Sequence, residues 1–323
     1  MNEGARIVII GAGHAGGSVA AFLRQHGHTG PIALIGEEPY APYQRPPLSK
    51  AYLKGEADLE SLQLRPDDFY PEQDIALRLG VRAEAIDRAR KIVRLQGGEQ
   101  IPYDILILAT GSQNRKLGFP GARDGDLLEL RSLADAERLK SALGPGRRLV
   151  IIGGGYIGLE AAASARALGA DATVIELAPR VLARVACEEL SAFFQAYHRA
   201  RGVEILTEAQ VEDLEHSGDR LSAVRLKDGR DIACDALLVG VGAMASADLA
   251  RDAGLDCELG VIVDEAGRTS DPNIYAIGDM TFRPMPHYQG RRHRLESVPN
   301  ALEQARQATA AILGQPAPPH EVP

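Results

Sequence analysis

Short apolar runs of strand length recur along the chain, and two of them lead directly into a glycine-rich turn. The first run, residues 6–10, is followed by residues 11–16, which read GAGHAG. Beyond this turn, Val19, Phe22 and Leu23 stand at helical spacing, and Gly27 provides a stop. The pattern therefore predicts a strand, a tight turn and a helix in succession.

The same arrangement occurs a second time in the chain. Residues 149–152 form an apolar run that leads into residues 153–158, which read GGGYIG. An alanine-rich helix is predicted as far as Leu168, with a stop at Gly169. In both copies the closing glycine follows the last glycine of the turn by eleven residues. The chain thus repeats one supersecondary unit.

Each glycine of such a turn has a physical reason. One allows the sharp bend, one lets the backbone approach a pyrophosphate, and one lets the helix pack closely on the strand. The phosphates then lie at the helix N-terminus, and a carboxylate after the next strand accepts hydrogen bonds from the ribose. Glu37 follows residues 31–36, and Glu176 follows residues 172–175. We therefore expect two dinucleotide sites, one for a tightly held redox cofactor and one for a diffusible hydride donor.

Length and composition narrow the class of protein. A chain of 323 residues, 45% hydrophobic and 25% charged, predicts an ordinary globular protein of about two domains. The net charge of −8 argues against nucleic-acid binding. The three cysteines, Cys187, Cys234 and Cys257, are too widely spaced for a metal site or a redox dithiol. No apolar run is long enough to span a membrane and no leader opens the chain, so we expect a cytoplasmic protein.

Four segments together resemble the NADH-dependent ferredoxin reductases of the putidaredoxin, rhodocoxin and aromatic-dioxygenase type. They are EPYAPYQRPPLSKAYL (38–53), GGGYIGLE (153–160), YAIGD (275–279) and ESVPNALEQAR (296–306). The resemblance implies an α/β fold with two Rossmann-like, glutathione reductase-like domains. An FAD-binding domain (1–114 and 243–323) would hold an inserted NAD-binding domain (115–242). The family continues into a C-terminal interface domain, which we expect to be absent.

The resemblance also assigns residues to FAD. Glu37 would bind the adenosine ribose, Arg45 would lie along the adenosine, Asp279 would bind the ribityl hydroxyls, and the Val298 amide would meet flavin N1 and O2. The remaining assignments are the turn residues Gly11, Gly13, His14, Ala15 and Gly16, with Ala83 at the adenine and Arg131 at the flavin. Ordinary alternatives stay open: Ala83 as a loop residue, Arg131 as a surface charge, Asp279 as a helix cap, and residues 297–299 as a plain helix start.

Lys50 is the residue expected to stabilise charge at the flavin N5, with Glu160 as its ion partner, and these two are the candidate catalytic residues. Its alternative is a surface lysine. For NADH, the resemblance assigns the second turn and its surroundings, namely Gly153, Gly155, Tyr156, Ile157, Glu160, Glu176, Arg184 and Gly240. Glu176 favours NADH over NADPH, while Arg180 and Arg184 weaken that preference because an arginine there can accept a 2′-phosphate.

The expected activity is hydride transfer from NADH to FAD, then single electrons to a [2Fe-2S] ferredoxin. That ferredoxin would serve a cytochrome P-450 or a ring-hydroxylating oxygenase. Candidate docking residues are the basic cluster Arg291, Arg292, His293 and Arg294, with Arg65 and Arg306. Two alternatives remain: an NADH oxidase or reductase module with another acceptor, and a redox-gated interaction protein resembling apoptosis-inducing factor. No metal site is expected.

Overall fold

A computed structural model describes residues 4–321. Within this range the helices are α1 (His14–Gln25), α2 (Leu59–Leu62), α3 (Phe69–Glu72), α4 (Leu133–Ala142), α5 (Tyr156–Ala167), α6 (Glu188–Arg199), α7 (Asp248–Asp252) and α8 (Val298–Leu313). Short 3-10 turns lie at Pro46–Ser49, Gly278–Met280 and Pro286–Tyr288.

The strands of the described residues are short, and many are apolar throughout. They are β1 (Ile7–Ile10), β2 (Ile32–Gly36), β3 (Ile75–Leu79), β4 (Ala83–Asp87), β5 (Ile92–Leu95), β6 (Gln100–Pro102), β7 (Ile105–Leu108), β8 (Ser112–Asn114), β9 (Leu127–Leu128), β10 (Arg148–Ile152), β11 (Asp171–Ile175), β12 (Val203–Leu206), β13 (Val211–Ser217), β14 (Arg220–Leu226), β15 (Asp231–Ala233), β16 (Ala236–Val239), β17 (Ala243–Ala245), β18 (Val261–Ile262), β19 (Ile274–Ala276), β20 (Thr281–Met285) and β21 (Arg291–His293).

The chain divides into two compact units. The first comprises Met1–Gln44, Gln63–Gln113 and Met244–Pro323, and the second comprises Arg45–Leu62 and Asn114–Ala243. The expected division into FAD-binding and NAD-binding domains, with boundaries after residues 114 and 242, stays a prediction.

One segment differs from the expected division, because Arg45–Leu62 groups with the second unit. Contacts inside that unit explain the grouping. The Ser164 hydroxyl donates to the buried carbonyl of Ser49 at 2.7 Å, and the Tyr52 hydroxyl donates to Glu137. Leu48 and Leu53 are buried. These contacts lie more than 80 residues apart in sequence, so the local pattern does not contain them.

The first unit is built on a parallel five-stranded sheet with the order β19-β7-β1-β2-β3. Helices α1 and α8 cover one face through a shared core that includes Val19, Leu23, Ala305 and Ile312. The opposite face packs against residues of the β4-β5-β6 sheet, including Val93 and Leu95. Burial on both faces explains why β1 and β7 are apolar at every position.

The second unit repeats this plan with the parallel sheet β12-β11-β10-β16-β9. Helix α5 packs against β10 and β11, and the antiparallel sheet β13-β14-β15 contributes Leu214, Val224 and Leu226 to the core on β10 and β16. The predicted α/β fold class is confirmed, and each unit carries one of the two glycine turns at the end of a central strand.

Two kinds of feature are absent from residues 4–321. No helix in that range has both the length and the apolar character needed to cross a lipid bilayer. Nor does any group of three or more His, Cys, Asp or Glu side chains there form a set that could hold a metal ion.

Candidate nucleotide-binding sites

The first glycine turn connects β1 to α1, and two of its glycines are required by the protein itself. Gly11 has φ +115°, and a Cβ atom there would lie 2.1 Å from the carbonyl oxygen of Ala109. A Cβ atom on Gly16 would lie 1.9 Å from the carbonyl oxygen of Gly11. Neither distance is tolerable, so these glycines allow the bend and the close packing of α1 on the sheet.

Gly13 is different, because a Cβ atom there would meet no protein atom within 4 Å. This residue is the N-cap of α1, it is extended, and no side chain caps the helix. The first turn of α1 also carries no acidic residue. An uncapped helix N-terminus facing open space suits the pyrophosphate of a dinucleotide. His14 and Ala15 open the helix at this point.

The second turn, between β10 and α5, has the same three properties. A Cβ atom on Gly153 would lie 2.4 Å from the carbonyl oxygen of Gly240, and one on Gly158 would lie 2.1 Å from that of Gly153. A Cβ atom on Gly155 would meet nothing within 4 Å, and Gly155 caps α5 without a side-chain hydrogen bond. Tyr156 begins the helix and is 56% exposed. Next to it, 42% of Ile157 is exposed.

The helices without such turns are capped differently. Ser132 caps α4 in a reciprocal capping box with Asp135, and Ser297 caps α8 by accepting from the amide of Asn300 at 3.3 Å. Helix α6 has no side-chain cap, but Glu188 and Glu189 in its first turn disfavour an anion. Among α1, α4, α5, α6 and α8, the N-termini that lack both a side-chain cap and acidic residues are those of α1 and α5, where the sequence predicts phosphates.

The two predicted ribose carboxylates differ in their surroundings. Glu37, just beyond β2, is exposed, with Arg82 4.0 Å away. Glu176, just beyond β11, accepts from the amide of Gly154 at 2.7 Å and from that of Ala178 at 2.8 Å. A Cβ atom on Gly154 would lie 3.1 Å from the same Glu176 oxygen. The protein therefore fixes the Glu176 carboxylate beside the second turn. The Gly154 amide takes part in this, which the position of Gly154 in the motif did not reveal.

The two arginines beyond Glu176 do not share one role. Arg180 donates to the carbonyl of Ala186 at 2.8 Å and to the hydroxyl of Ser191 at 2.6 Å. Its guanidinium is thus engaged by its own loop, and the idea that Arg180 is placed for a 2′-phosphate finds no support in these contacts. The exposed Arg184 instead lies beside Gly242, whose Cβ position is 3.2 Å from the Arg184 guanidinium.

Lys50 and Glu160 lie together, as the resemblance implied. The Lys50 Nζ is 2.6 Å from Glu160 Oε2, and the Ser49 hydroxyl donates to the same oxygen at 2.6 Å. Lys50 directly follows the 3-10 turn Pro46–Ser49, which the Ser164 hydroxyl anchors. The ammonium therefore has a fixed direction while the Lys50 side chain stays 49% exposed. Ser49 and Ser164 were not among the predicted residues, because their partners are distant in sequence.

Arg45 and Arg131 also come together, although the sequence assigned them to different parts of FAD. The Arg45 guanidinium donates to the carbonyl oxygen of Arg131 at 2.6 Å. The amide of Arg131 donates to Asp135, so the residue leads into the capped start of α4. Ala83 begins β4 and pairs with Leu95, which makes it a strand residue rather than a loop residue.

Asp279 lies in the 3-10 turn after β19, and the Ser112 hydroxyl donates to its carboxylate at 3.2 Å. Ile277, and not Asp279, is the N-cap of that turn. The amide of Gly278 donates to Gln304 on α8 at 2.7 Å, which ties this turn to the helix.

The N-terminus of α8 borders a cavity of about 620 Å³. Its lining residues are Leu295, Ser297, Val298, Pro299, Leu302, Arg306 and Glu321. Beneath it, the buried Arg283 donates to Asn300 at 3.0 Å and to Glu303 at 2.8 Å, which fixes α8 against β20. This ion pair was missed, because a lone arginine in a short strand gives no sign of burial.

The predicted docking arginines have different environments. Arg291 and Arg292 are exposed on β21, the second strand of a hairpin with β20. Arg306 lies at the cavity, 3.7 Å from Glu321 and over the ring of Phe22. Arg65 is turned toward the ring of Phe69 and donates to a neighbouring carbonyl.

This chain is similar to proteins of one known family. The sequence profile of the pyridine nucleotide-disulphide oxidoreductases matches residues 5–305. The probable ferredoxin reductase CtmF of Castellaniella defragrans is 50% identical over 100% of this chain and 79% of its own length. The rhodocoxin reductase of Rhodococcus erythropolis is 44% identical over 95% of this chain and 72% of its own.

A solved structure of the same type of protein is also similar. In the covalent putidaredoxin reductase-putidaredoxin complex, a matching chain superposes with a TM-score of 0.96. The two chains are 42% identical, and the match covers 99% of this chain and 78% of the other.

Proposed function

Because this chain belongs to the pyridine nucleotide-disulphide oxidoreductases, as a ferredoxin reductase of the putidaredoxin and rhodocoxin reductase type, we propose that it passes electrons from NADH through FAD to a [2Fe-2S] ferredoxin. The ferredoxin then supplies a cytochrome P-450 or a ring-hydroxylating oxygenase. When bound, FAD supplies the chemistry that joins a two-electron hydride donor to one-electron acceptors.

One observation carries the assignment of two dinucleotides. In each glycine turn the middle glycine has no protein neighbour where its side chain would stand, while the flanking glycines are sterically required. Open space at the uncapped N-termini of α1 and α5 suits the phosphates of a dinucleotide. We assign the first turn to FAD and the second to NADH.

The chain's own residues then have definite tasks. Glu160 and Ser49 hold the Lys50 ammonium in one direction, so that it can stabilise negative charge without reorganising. The amide of Val298 lies at the positive end of α8, and the cavity beside it gives an isoalloxazine edge room to approach. Asp279 offers its carboxylate to ribityl hydroxyls.

The coenzyme preference follows from charge. The carboxylate of Glu176 is fixed at the second turn and would repel a 2′-phosphate. Arg180, which could have offset this repulsion, is engaged by Ala186 and Ser191. We therefore propose NADH as the physiological donor.

Docking of the ferredoxin is assigned to the hairpin formed by β20 and β21. Arg291, Arg292 and His293 are exposed there, against the background of a chain with net charge −8. β20 follows Asp279 closely, and β21 precedes Val298 by a few residues, so the hairpin is connected to both flavin-binding segments. An acidic iron–sulfur protein would be attracted to this site. Arg65 and Arg306 remain secondary candidates.

Rapid mixing of the FAD-loaded protein with NADH, and then with a [2Fe-2S] ferredoxin, tests this function. The expected result is flavin reduction by NADH followed by ferredoxin reduction. Arg291→Glu with Arg292→Glu should raise the KM for ferredoxin and leave the first step unchanged, whereas Arg94→Glu, at an exposed position on β5, should do neither. Flavin that NADH reduces but that no iron–sulfur carrier reoxidises would contradict the proposal.

The proposed location is the cytoplasm. Cys187, Cys234 and Cys257 are free thiols, which is the usual state in a reducing compartment.

A further inference from the structure

Helix α6 carries an unusual outer face. Phe193 is 58% exposed, Tyr197 is 44% exposed, and the neighbouring Leu190 is 43% exposed. Single exposed apolar residues are ordinary, but three on one face of one helix form an apolar patch of the kind that marks an interaction site. Neither nucleotide turn includes these residues.

The exposed residues form a ridge with a charge at each end. Glu189, Phe193 and Tyr197 follow one another at intervals of four residues, which places them along one line of the α6 surface, and Arg201 lies two residues beyond the end of the helix. The contacts are continuous: the rings of Phe193 and Tyr197 lie 5.8 Å apart, and the Arg201 guanidinium stacks 3.5 Å from the centre of the Tyr197 ring. We define these four residues as the α6 ridge.

The inner face of α6 is firmly held. The Ser191 hydroxyl donates to the carbonyl of Val181 at 2.7 Å, and the Val181 amide donates to Gln195 at 3.1 Å. His198 is buried on the same side. The ridge therefore stands on a fixed support and points away from the core of its unit.

The charges along the ridge are complementary to those of the same ridge in the opposite direction. Reading from Glu189 gives acid, aromatic, aromatic, base, and a second copy running the opposite way offers base, aromatic, aromatic, acid. An antiparallel pair with its two-fold axis between Phe193 and Tyr197 would place Phe193 against Tyr197 and Glu189 against Arg201, twice each. Ridges at this spacing pack side by side when two helices cross at about −50°. An isologous two-fold interface requires this kind of self-complementarity.

We propose that a second copy of this chain covers the α6 ridge, so that the protein forms a two-fold dimer through α6. Aromatic side chains each offer roughly 150–250 Å² of surface, so the ridge supplies less than the roughly 800 Å² per partner of a standard interface. The dimer is accordingly weak, and its population rises with protein concentration.

Sedimentation of the FAD-loaded protein between roughly 1 and 200 µM tests the proposal. The mean mass should rise from that of one chain, 34.5 kDa, toward twice that value. Phe193→Glu should hold the mass at one chain, and Glu212→Lys, an exposed position on β13, should leave association unchanged. A wild-type protein that stays at one chain throughout overturns the proposal.

A charge exchange separates this geometry from any other mode of association. Glu189→Lys and Arg201→Glu should each weaken self-association about tenfold or more, which corresponds to roughly 1.4 kcal/mol. Mixing the two single variants should restore association, because each lysine then faces a glutamate and each remaining arginine faces a remaining glutamate. A mixture that associates no better than either variant alone contradicts antiparallel pairing, and this comparison holds even if one variant loosens the end of α6.

Discussion

Gly155 and Gly158 allow binding and stability to be separated within one turn. A methyl group on Gly155 meets no protein atom within 4 Å, and its backbone, with φ −80° and ψ −176°, suits alanine. Gly155→Ala should therefore change the stability of the coenzyme-free protein by less than about 1 kcal/mol. The methyl group would occupy space assigned to the NADH pyrophosphate. Overpacking of about 1–3 kcal/mol there raises the Kd for NADH by roughly 5- to 150-fold.

Gly158→Ala should give the opposite result. Its methyl group would lie 2.1 Å from the carbonyl oxygen of Gly153 and 3.2 Å from Ile151 Cγ2, so α5 must move away from β10. A cost of about 2–3 kcal/mol lowers the Tm by roughly 4–12 °C in a unit of this size. Melting curves without coenzyme and NADH titrations of both variants provide the comparison. Wild-type NADH binding by Gly155→Ala, or equal melting temperatures of the two variants, would contradict these expectations.

Three further predictions concern charged groups. Lys50→Met should slow flavin reduction by NADH about 10- to 100-fold without loss of FAD, measured by stopped-flow absorbance; an unchanged rate would remove Lys50 from the reaction. Glu176→Ala should reduce the preference for NADH over NADPH, measured as the ratio of kcat/KM values, about tenfold or more. Arg180→Ala should change kcat/KM for NADH and for NADPH by the same factor. A loss of kcat/KM confined to NADPH would contradict this second expectation. The Arg148 guanidinium hydrogen-bonds Asp235 and lowers the pKa of that carboxyl to about 2. The stabilisation from this pair is therefore complete above about pH 4 and is lost as the pH falls toward 2. Arg148→Met should flatten the pH dependence of the Tm in that range. An unchanged slope of Tm against pH would contradict this role of the pair.

The two glycine turns were predictable because their physics is local. Gly11, Gly16, Gly153 and Gly158 are each excluded from carrying a side chain by backbone atoms of their own strand–turn–helix unit or of the neighbouring strand. The acids after β2 and β11 follow from the same plan. Such constraints repeat at fixed spacing, and a fixed spacing is visible in a sequence.

The support of the site was not predictable in the same way. The pair of Lys50 and Glu160 came only from family resemblance, and its anchors, Ser49 and Ser164, are small polar residues with distant partners. Arg180 is the converse case, because its position suggested a phosphate ligand, whereas its hydrogen bonds in the structure go to Ala186 and Ser191. Long-range hydrogen bonds of this kind leave no periodic trace in the sequence.

The central claim is that one chain holds FAD in its first glycine turn and binds NADH at its second. Anaerobic titration of the purified protein with NADH, followed by visible absorbance, tests both halves of that claim at once. We expect about one FAD per chain and bleaching of the flavin band by about one equivalent of NADH. A protein that takes up no FAD, or whose bound flavin keeps its oxidised spectrum in excess NADH, would contradict the account.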